Sequence, residues 1–233
     1  MNTLAFFVGA VLPYVALVVF VGGMSYRIYK WKKTPQPGKM TLFPSGDSTS
    51  KGVLAETFFF PSLFKGDKVL WSFSWVFHAT LALVFVGHIR VFTGLIDRML
   101  LGLGVSPGGI DTMSSTLGGA AGVVLLATGI LLLVRRFAQQ RVREISNVSD
   151  FFALLLLITI VFTGNMMRFG THFDLEQTRI WASSLLTFSP VVVNDGAFQI
   201  HALLAMLFFI YIPYSKIMHF GGVFFTQALV KRR

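Results

Sequence analysis

The sequence contains no cysteine and few charged residues. Without cysteine, the chain cannot ligate an iron–sulfur cluster, attach a haem through a C-x-x-C-H motif or form a disulfide. Charged residues make up only 13% of the 233 positions, whereas they make up about a quarter of an ordinary soluble domain. Hydrophobic residues account for 54%. This composition indicates a membrane protein whose redox cofactors, if it has any, are bound non-covalently or carried by a partner.

Formal charge is absent from five long stretches, each close to the roughly 20 residues that a spanning helix requires. These stretches are residues 4–26, 69–89, 112–134, 151–167 and 196–215. The sequence therefore predicts an all-α membrane protein that forms a single domain over residues 1–233. Its five transmembrane helices are expected at about residues 4–28, 69–95, 112–135, 148–168 and 196–219.

Basic residues are distributed unevenly among the connecting segments. Segments 27–68, 135–150 and 216–233 contain eight, four and four of the 20 Lys and Arg residues. By the positive-inside rule, these segments are cytoplasmic, the N-terminus is outside and the C-terminus is inside. No basic residue precedes the first stretch, so we expect a signal anchor rather than a cleaved signal. The net charge of +10 is attributed to topology and anionic lipid headgroups, and no nucleic-acid partner is expected.

The longest segment between predicted spans is the cytoplasmic loop 27–68, which is rich in Lys, Pro and Ser. Loops of this length are usually functional or disordered. Two interpretations remain open at this stage, a flexible surface linker and a docking surface for a cytoplasmic partner.

Four histidines lie in or next to two of the predicted spans. His78 and His88 are in the second span, and His201 and His219 belong to the fifth. Ionisable residues are rare in membrane helices, and imidazole is a common axial ligand of haem iron. Because the two spans run antiparallel, His88 lies at the depth of His201 near the outside, and His78 pairs with His219 near the inside. The pattern predicts two b-type haems, each held between helices 2 and 5.

The helical spacing fits this pairing only in part. The separation of ten residues between His78 and His88 gives an axial rise of about 15 Å, against about 27 Å for the eighteen residues from His201 to His219. We expect helix tilt, side-chain reach and a kink at Pro213 to absorb the difference.

The residues around these histidines resemble the gamma subunit of respiratory nitrate reductase. Residues 77–88 resemble its FH-x8-GH helix, and residues 200–219 resemble its H-x11-P-[FY]-S-[RK]-x2-H helix. Ser149-Asp150, Thr163-Gly164 and Trp181-Ala182 fit as well, and the resemblance covers roughly residues 69–233. Residues 30–37 and 87–93 look more like the Dsr-type (DsrM-like) branch, found in a sulfite-reduction-associated complex.

The resemblance implies a cytochrome b subunit of a respiratory complex in the prokaryotic cytoplasmic membrane. The four histidines would bind two haems, and menaquinol or another quinone would react beside the outer haem. Electrons would pass to a cytoplasmic iron–sulfur subunit, in a complex that also includes other membrane and periplasmic subunits. Nitrate reductase or heterodisulfide reductase could be served by the same relay. The direction of electron flow and the catalytic residues stay open, with Asp195 and Gln199 as candidates for proton exchange with the quinone.

Two residues next to His88 have alternative interpretations. Gly87 could let the haem edge approach the backbone, or it could serve ordinary small-residue helix packing. Arg90 could pair with a haem propionate, or its side chain could extend to the membrane interface. The fifth histidine, His172, is interpreted as a solvated loop residue.

Two other functional classes are considered. A passive membrane anchor would use the histidines only to join helices, and the purified protein would be colourless. A divalent-metal transporter would be expected to have oxygen ligands within the membrane, yet all ten Asp and Glu residues lie outside the five charge-free stretches.

Overall fold

The structure is a computed structural model and describes residues 3–35, 50–170 and 174–230. Much of the loop predicted over 27–68, and His172, therefore lie outside the described residues. All regular elements in the described residues are helical. In chain order the helices are α1 Thr3–Lys33, α2 Ser50–Phe59, α3 Pro61–Gly66, α4 Lys68–Phe92, α5 Leu95–Gly102, α6 Pro107–Ala138, α7 Gln140–Glu144, α8 Val148–Phe169, α9 Leu175–Leu186, α10 Gly196–Tyr211 and α11 His219–Val230.

Five of these helices are long and apolar enough to cross a membrane, namely α1, α4, α6, α8 and α10 with its short extension to Tyr214. This confirms the prediction of an all-α protein with five membrane-spanning helices. Capping residues explain where some of these helices begin. Asp67 caps α4 and Asp195 caps α10, and each side chain accepts a hydrogen bond from a backbone N–H group of the first turn. Asn147 and Asp150 form a reciprocal capping box at the start of α8.

The fifth spanning helix ends at Tyr211 rather than continuing to His219 as expected. Pro213 is the cause, because it has no N–H to donate and its ring conflicts with the carbonyl four residues earlier. A 3₁₀ turn follows, and Ser215 then adopts an extended conformation with φ −117° and ψ 170°. The Ser215 hydroxyl caps a second short turn, Lys216–Met218, before α11 begins. The break redirects the chain and carries His219 toward α4.

The spanning helices pack in a row. Helix α4 packs along α6, α6 along α8, α8 along α10, and α10 along α1. In the described part of the chain, α4 and α10 do not share such close backbone packing. Side chains instead bring α4 close to α10 through His88 and His201, and close to the start of α11 through His78 and His219.

Helices α2 and α3 form a hairpin beside the start of α4, and Phe60 is the residue between them. The indole N–H groups of Trp71 and Trp75 on α4 donate to the carbonyls of Phe59 and Phe58, at 2.7 and 3.1 Å. Helix α2 also packs against α11. The second half of the predicted cytoplasmic loop is therefore folded.

Helix α1 packs against Pro213, at the break after α10. The Arg27 Nε–H group donates to the carbonyl of Pro213 at 3.0 Å. One turn earlier, Gly23 lies so close to Pro213 that an added Cβ would be 2.6 Å from the Cβ of the proline ring. The close approach of the two segments thus requires a residue without a side chain at position 23.

We expect Gly23→Ala to destabilise the protein by about 1–3 kcal/mol, because the rigid ring of Pro213 cannot move away without displacing the backbone. Thermal unfolding of the purified protein in detergent measures the effect. Gly22→Ala is the matched control, since a Cβ at position 22 meets no atom within 4 Å. Equal melting temperatures for the two variants would contradict the close packing of α1 on Pro213.

Candidate functional site

The structure brings the four membrane histidines together in two pairs. The ring centres of His88 and His201 are 6.3 Å apart with their planes at 21°, and those of His78 and His219 are 5.9 Å apart with their planes at 88°. The pairs are those predicted from depth. We call the two ends of the bundle the His78 end and the His88 end.

The separation within each pair fits two axial ligands of one iron. Imidazoles bound to opposite sides of a metal ion at roughly 2 Å per bond have ring centres roughly 6 Å apart. A haem iron takes only two ligands from the protein, because the porphyrin supplies the other four. A bare metal ion needs more ligands, and the described residues contain no cluster of three or more His, Cys, Asp or Glu side chains suited to one. The donor set therefore fits haem.

Three of the four imidazoles have the same internal hydrogen bond. The Nδ1 atoms of His78, His88 and His219 lie 2.7, 2.8 and 3.1 Å from main-chain carbonyl oxygens. A carbonyl can only accept, so Nδ1 carries the proton and Nε2 keeps its lone pair for a metal. The accepting carbonyls belong to Ser74, Val84 and Lys216.

His201 reaches the same tautomer through a side chain on α8. Its Nδ1 lies 3.0 Å from the hydroxyl oxygen of Thr163, and that hydroxyl donates its own proton to the carbonyl of Ile160 at 2.9 Å. The oxygen therefore accepts from Nδ1–H, and Nε2 of His201 keeps its lone pair. The adjacent Gly164 gives the ring room, because a Cβ there would be 3.2 Å from His201 Cε1. All four histidines thus present an Nε2 lone pair.

His201 and His219 differ in how they are held. His201 packs against α8 through Thr163, whereas His219 follows the break and depends on contacts at that end. The Lys216 ammonium donates to the carboxylate of Asp150 at 2.7 Å, and the Tyr211 hydroxyl donates to a carbonyl of α8. These bonds tie both sides of the break to the start of α8, which fixes the position of His219.

The environment of Gly87 does not support helix packing as its role. A Cβ at this position would meet no described atom within 4 Å, so no neighbouring helix requires a small residue there. Close approach of a haem edge stays a prediction.

Arg90 is buried within the protein, with 8% of its surface exposed, and its position relative to the membrane interface stays a prediction. Its Nε–H group donates to Asp97 on α5 at 2.6 Å, and Arg179 on α9 donates both to Asp97 and to the main-chain carbonyl of Arg90. Burial acts to raise the pKa of Asp97, but the hydrogen bonds from Arg90 and Arg179 outweigh it and hold that pKa below its ordinary value of 3.8. The cluster joins α4, α5 and α9 at the His88 end. Contact of Arg90 with a propionate stays a prediction.

The two candidates for proton exchange have structural partners. The Asp195 carboxylate accepts from the N–H of Phe198 at the start of α10, and the Gln199 amide donates to the carbonyl of Val193. Both groups thus order the entry to α10, and a role in quinone chemistry remains a prediction.

Sequence reasoning did not identify several residues around the site. Asp97 and Arg179 belong to no recognisable motif, and Thr163 stands out only through the family resemblance. Phe60 lies with its ring centre 5.2 Å from that of His78, at an interplanar angle of 76°. A Phe-Pro step between two short helical segments has no specific sequence signal, so only the tertiary structure could show this contact.

Comparisons with known proteins support the family resemblance of the residues described above. The family model for the nitrate reductase gamma subunit matches residues 61–232. A cytochrome b-like subunit of an Hdr-like menaquinol oxidoreductase from Archaeoglobus fulgidus is 34% identical over 261 aligned positions, covering 94% of this chain and 78% of that protein. The respiratory nitrate reductase 1 gamma chain of Escherichia coli is 31% identical over 162 positions, covering 64% of this chain and 69% of that protein. The nitrate reductase gamma chain of Bacillus subtilis is 25% identical over 220 positions, covering 90% and 87%.

These relatives are named as subunits or chains of oxidoreductases, and the cytochrome b-like name implies haem. They support the resemblance found in the sequence, while assignment to the Dsr-type branch stays a prediction. Together with the five apolar helices, they identify an integral membrane protein. By the match over residues 61–232 and the similarity to these relatives, the chain belongs to the nitrate reductase gamma subunit family of cytochrome b-like membrane subunits.

Proposed function

We propose that this chain passes electrons between a quinone pool and an iron–sulfur subunit through two b haems, each held by two histidines. His88 and His201 would hold one haem, and His78 and His219 the other. The observation that carries the proposal is that the four imidazoles form two pairs at two depths, each with both Nε2 lone pairs available. When bound, the haems supply one-electron relay sites across the membrane.

The proposed orientation places the His78 end in the cytoplasm. Lys and Arg are concentrated in the segments 27–68, 135–150 and 216–233, which connect at that end. The iron–sulfur subunit would therefore dock at the His78 end, on the cytoplasmic side of a prokaryotic inner membrane. The His88 end would face outward and serve the quinone, with other membrane and periplasmic subunits completing the complex.

The work of the protein at the haems is to hold neutral imidazoles in one orientation. Each Nδ1–H bond fixes the ring tautomer and its rotation, and it increases the basicity of Nε2 as a ligand. Burial and nearby charge would influence the reduction potentials; His78 and His201 are partly buried, whereas His88 and His219 are exposed on this chain.

A cleft at the His88 end is a place where a quinone headgroup could react. It has a volume of about 240 Å³ and includes Phe92, Thr93, Glu176 and Arg179 in its lining. Its lining is about evenly divided between apolar and polar side chains. Menaquinol oxidised there would become menaquinone and release two electrons and two protons, the protons to the outside, and a haem held by His88 and His201 would accept the electrons one at a time. Reverse flow would use the same residues.

Replacing either outer histidine should remove one haem and stop quinol oxidation, while the inner haem remains. We expect membranes with His88→Ala or His201→Ala to contain about half the b haem per chain, because the outer iron would lose one of its two protein ligands while the inner iron would keep both. Haem extraction and reduced-minus-oxidised spectra measure this. The control is His172→Ala, outside the five spans, which should keep both haems. Two unchanged haem signals in His88→Ala would contradict the pairing.

Removing the hydrogen-bond acceptor of His201 should weaken the outer haem selectively. We expect Thr163→Val to lower outer-haem occupancy or quinol oxidation by about 10–100-fold, the usual effect of losing the hydrogen-bond partner of a metal-ligating histidine. Haem titration of the purified chain and quinol-oxidation rates give the measurement. Thr159→Val is the matched control, because Thr159 is exposed one turn earlier on α8 and bonds only within its helix. An equal loss in both variants would argue against the role of Thr163.

The two haems should give different electron paramagnetic resonance signals in the ferric state. Nearly parallel axial imidazole planes give a rhombic low-spin signal, whereas perpendicular planes give a highly anisotropic one. With planes at 21° for His88–His201 and 88° for His78–His219, we expect the outer haem to be rhombic and the inner haem highly anisotropic. Low-temperature spectra of wild type and His88→Ala assign the two signals. Loss of the highly anisotropic signal in His88→Ala would reverse this assignment.

A further inference from the structure

Phe60 has a backbone conformation that is unusual for a large residue. It lies between α2 and α3 with φ 50° and ψ 48°, in the left-handed region. Glycine or asparagine usually occupies this position after a helix, because a side chain there is strained. The next residue, Pro61, restricts the backbone of Phe60 further. Local structure alone would favour glycine, so the aromatic side chain must be explained by what it contacts.

The hairpin that carries Phe60 is attached to α4. Trp71 and Trp75 donate to the last carbonyls of α2, at 2.7 and 3.1 Å, and the ring centres of Phe64 and Trp71 are 4.9 Å apart. The packing of α2 against α11 adds a contact with the helix that begins at His219. The hairpin therefore joins the two segments that carry the inner histidines.

The Phe60 side chain lies against one of those histidines. Its ring centre is 5.2 Å from that of His78, edge to face, and Phe77 contacts the same imidazole from 5.3 Å in a similar arrangement. His78 is thus braced by two phenyl rings while its Nδ1–H bonds its own helix. By contrast, the side chains of Phe58 and Phe59 are each 63% exposed.

We propose that Phe60 is a positioning residue for the inner haem. Its ring holds the plane of the His78 imidazole and keeps water away from the inner iron. This inference rests on the proposed function, because it requires a haem between His78 and His219. The left-handed turn aims the ring at His78, and the two tryptophans keep the turn in place.

The proposal has two measurable consequences for the inner haem. Removing the ring leaves the Nδ1–H bond of His78 in place but takes away one of the two phenyl rings that pack on the imidazole, so the plane angle of 88° to His219 is held less tightly. It also admits water near the inner iron, which favours the ferric form over the ferrous form because the ferric haem carries more positive charge.

The decisive variant is Phe60→Gly, which removes the ring and suits the left-handed backbone. The full chain is purified from membranes with haem bound, and both haems are followed by potentiometric titration and low-temperature electron paramagnetic resonance. We expect the reduction equilibrium of the inner haem to shift three- to tenfold toward the oxidised form, where tenfold is about 59 mV for one electron. Its highly anisotropic signal should also change, while the outer haem stays as in wild type.

Phe59→Ala is the matched control, because it removes an exposed phenyl ring one residue away and leaves the contact with His78. It should leave both haems unchanged. Phe60→Leu keeps an apolar side chain without a flat ring, and it should alter the inner signal even if Phe60→Gly is not recovered.

The outcomes separate the inference from the proposed function. Wild-type protein with fewer than two b haems would overturn the proposed function and the inference with it. Two haems in wild type with an unchanged inner haem in Phe60→Gly, or in Phe60→Leu where only that variant is recovered, would overturn the inference alone. An equal shift in Phe59→Ala would also overturn it.

Discussion

The hydrogen bond donated by each imidazole Nδ1 is the constraint on which the proposed site depends. In lipid, a polar N–H without an acceptor is costly, so each ring must find one close by. His78 and His88 use the carbonyl four residues earlier in the same helix, which leaves Nε2 as the nitrogen with a free lone pair. The helix itself thus sets the tautomer, and His201 needs help from Thr163 on a neighbouring helix. Without these bonds, two facing histidines would not be matched ligands.

The proline break reconciles two different spacings. A straight helix would carry His219 well beyond the depth of His78, because eighteen residues rise further than ten. The helix instead ends at Tyr211, and Ser215 in an extended conformation turns the chain. The turn leaves carbonyl groups without partners in the helix, and Arg27 donates to one of them, that of Pro213. The close approach of Gly23 then becomes part of the same arrangement.

The sequence predicted the parts of the fold that composition and spacing determine. The five charge-free stretches were enough to predict five membrane-spanning helices. The histidine spacing, with two antiparallel helices, was enough to predict which histidines lie together. Contacts between elements far apart in the chain could not be predicted from the sequence. Asp97 meets Arg179 only because α9 packs against α4, next to which α5 begins, and Phe60 reaches His78 only because of a turn that has no distinctive motif. The expected continuous helix to His219 differs from the structure because the strength of a proline break depends on its neighbours.

The order of the helices in the row has a consequence for biogenesis. Helices α4, α6, α8 and α10 are neighbours in the chain and also pack in that order, so each can dock on its predecessor as it leaves the ribosome. The histidine pairs, however, join the first member of that series to the last and to the segment after it. A nascent chain that stops before α10 offers a porphyrin iron only one imidazole at each depth. If the pairs bind haem as proposed, stable binding would therefore have to wait until synthesis is nearly finished, and incomplete chains would not acquire a redox-active metal.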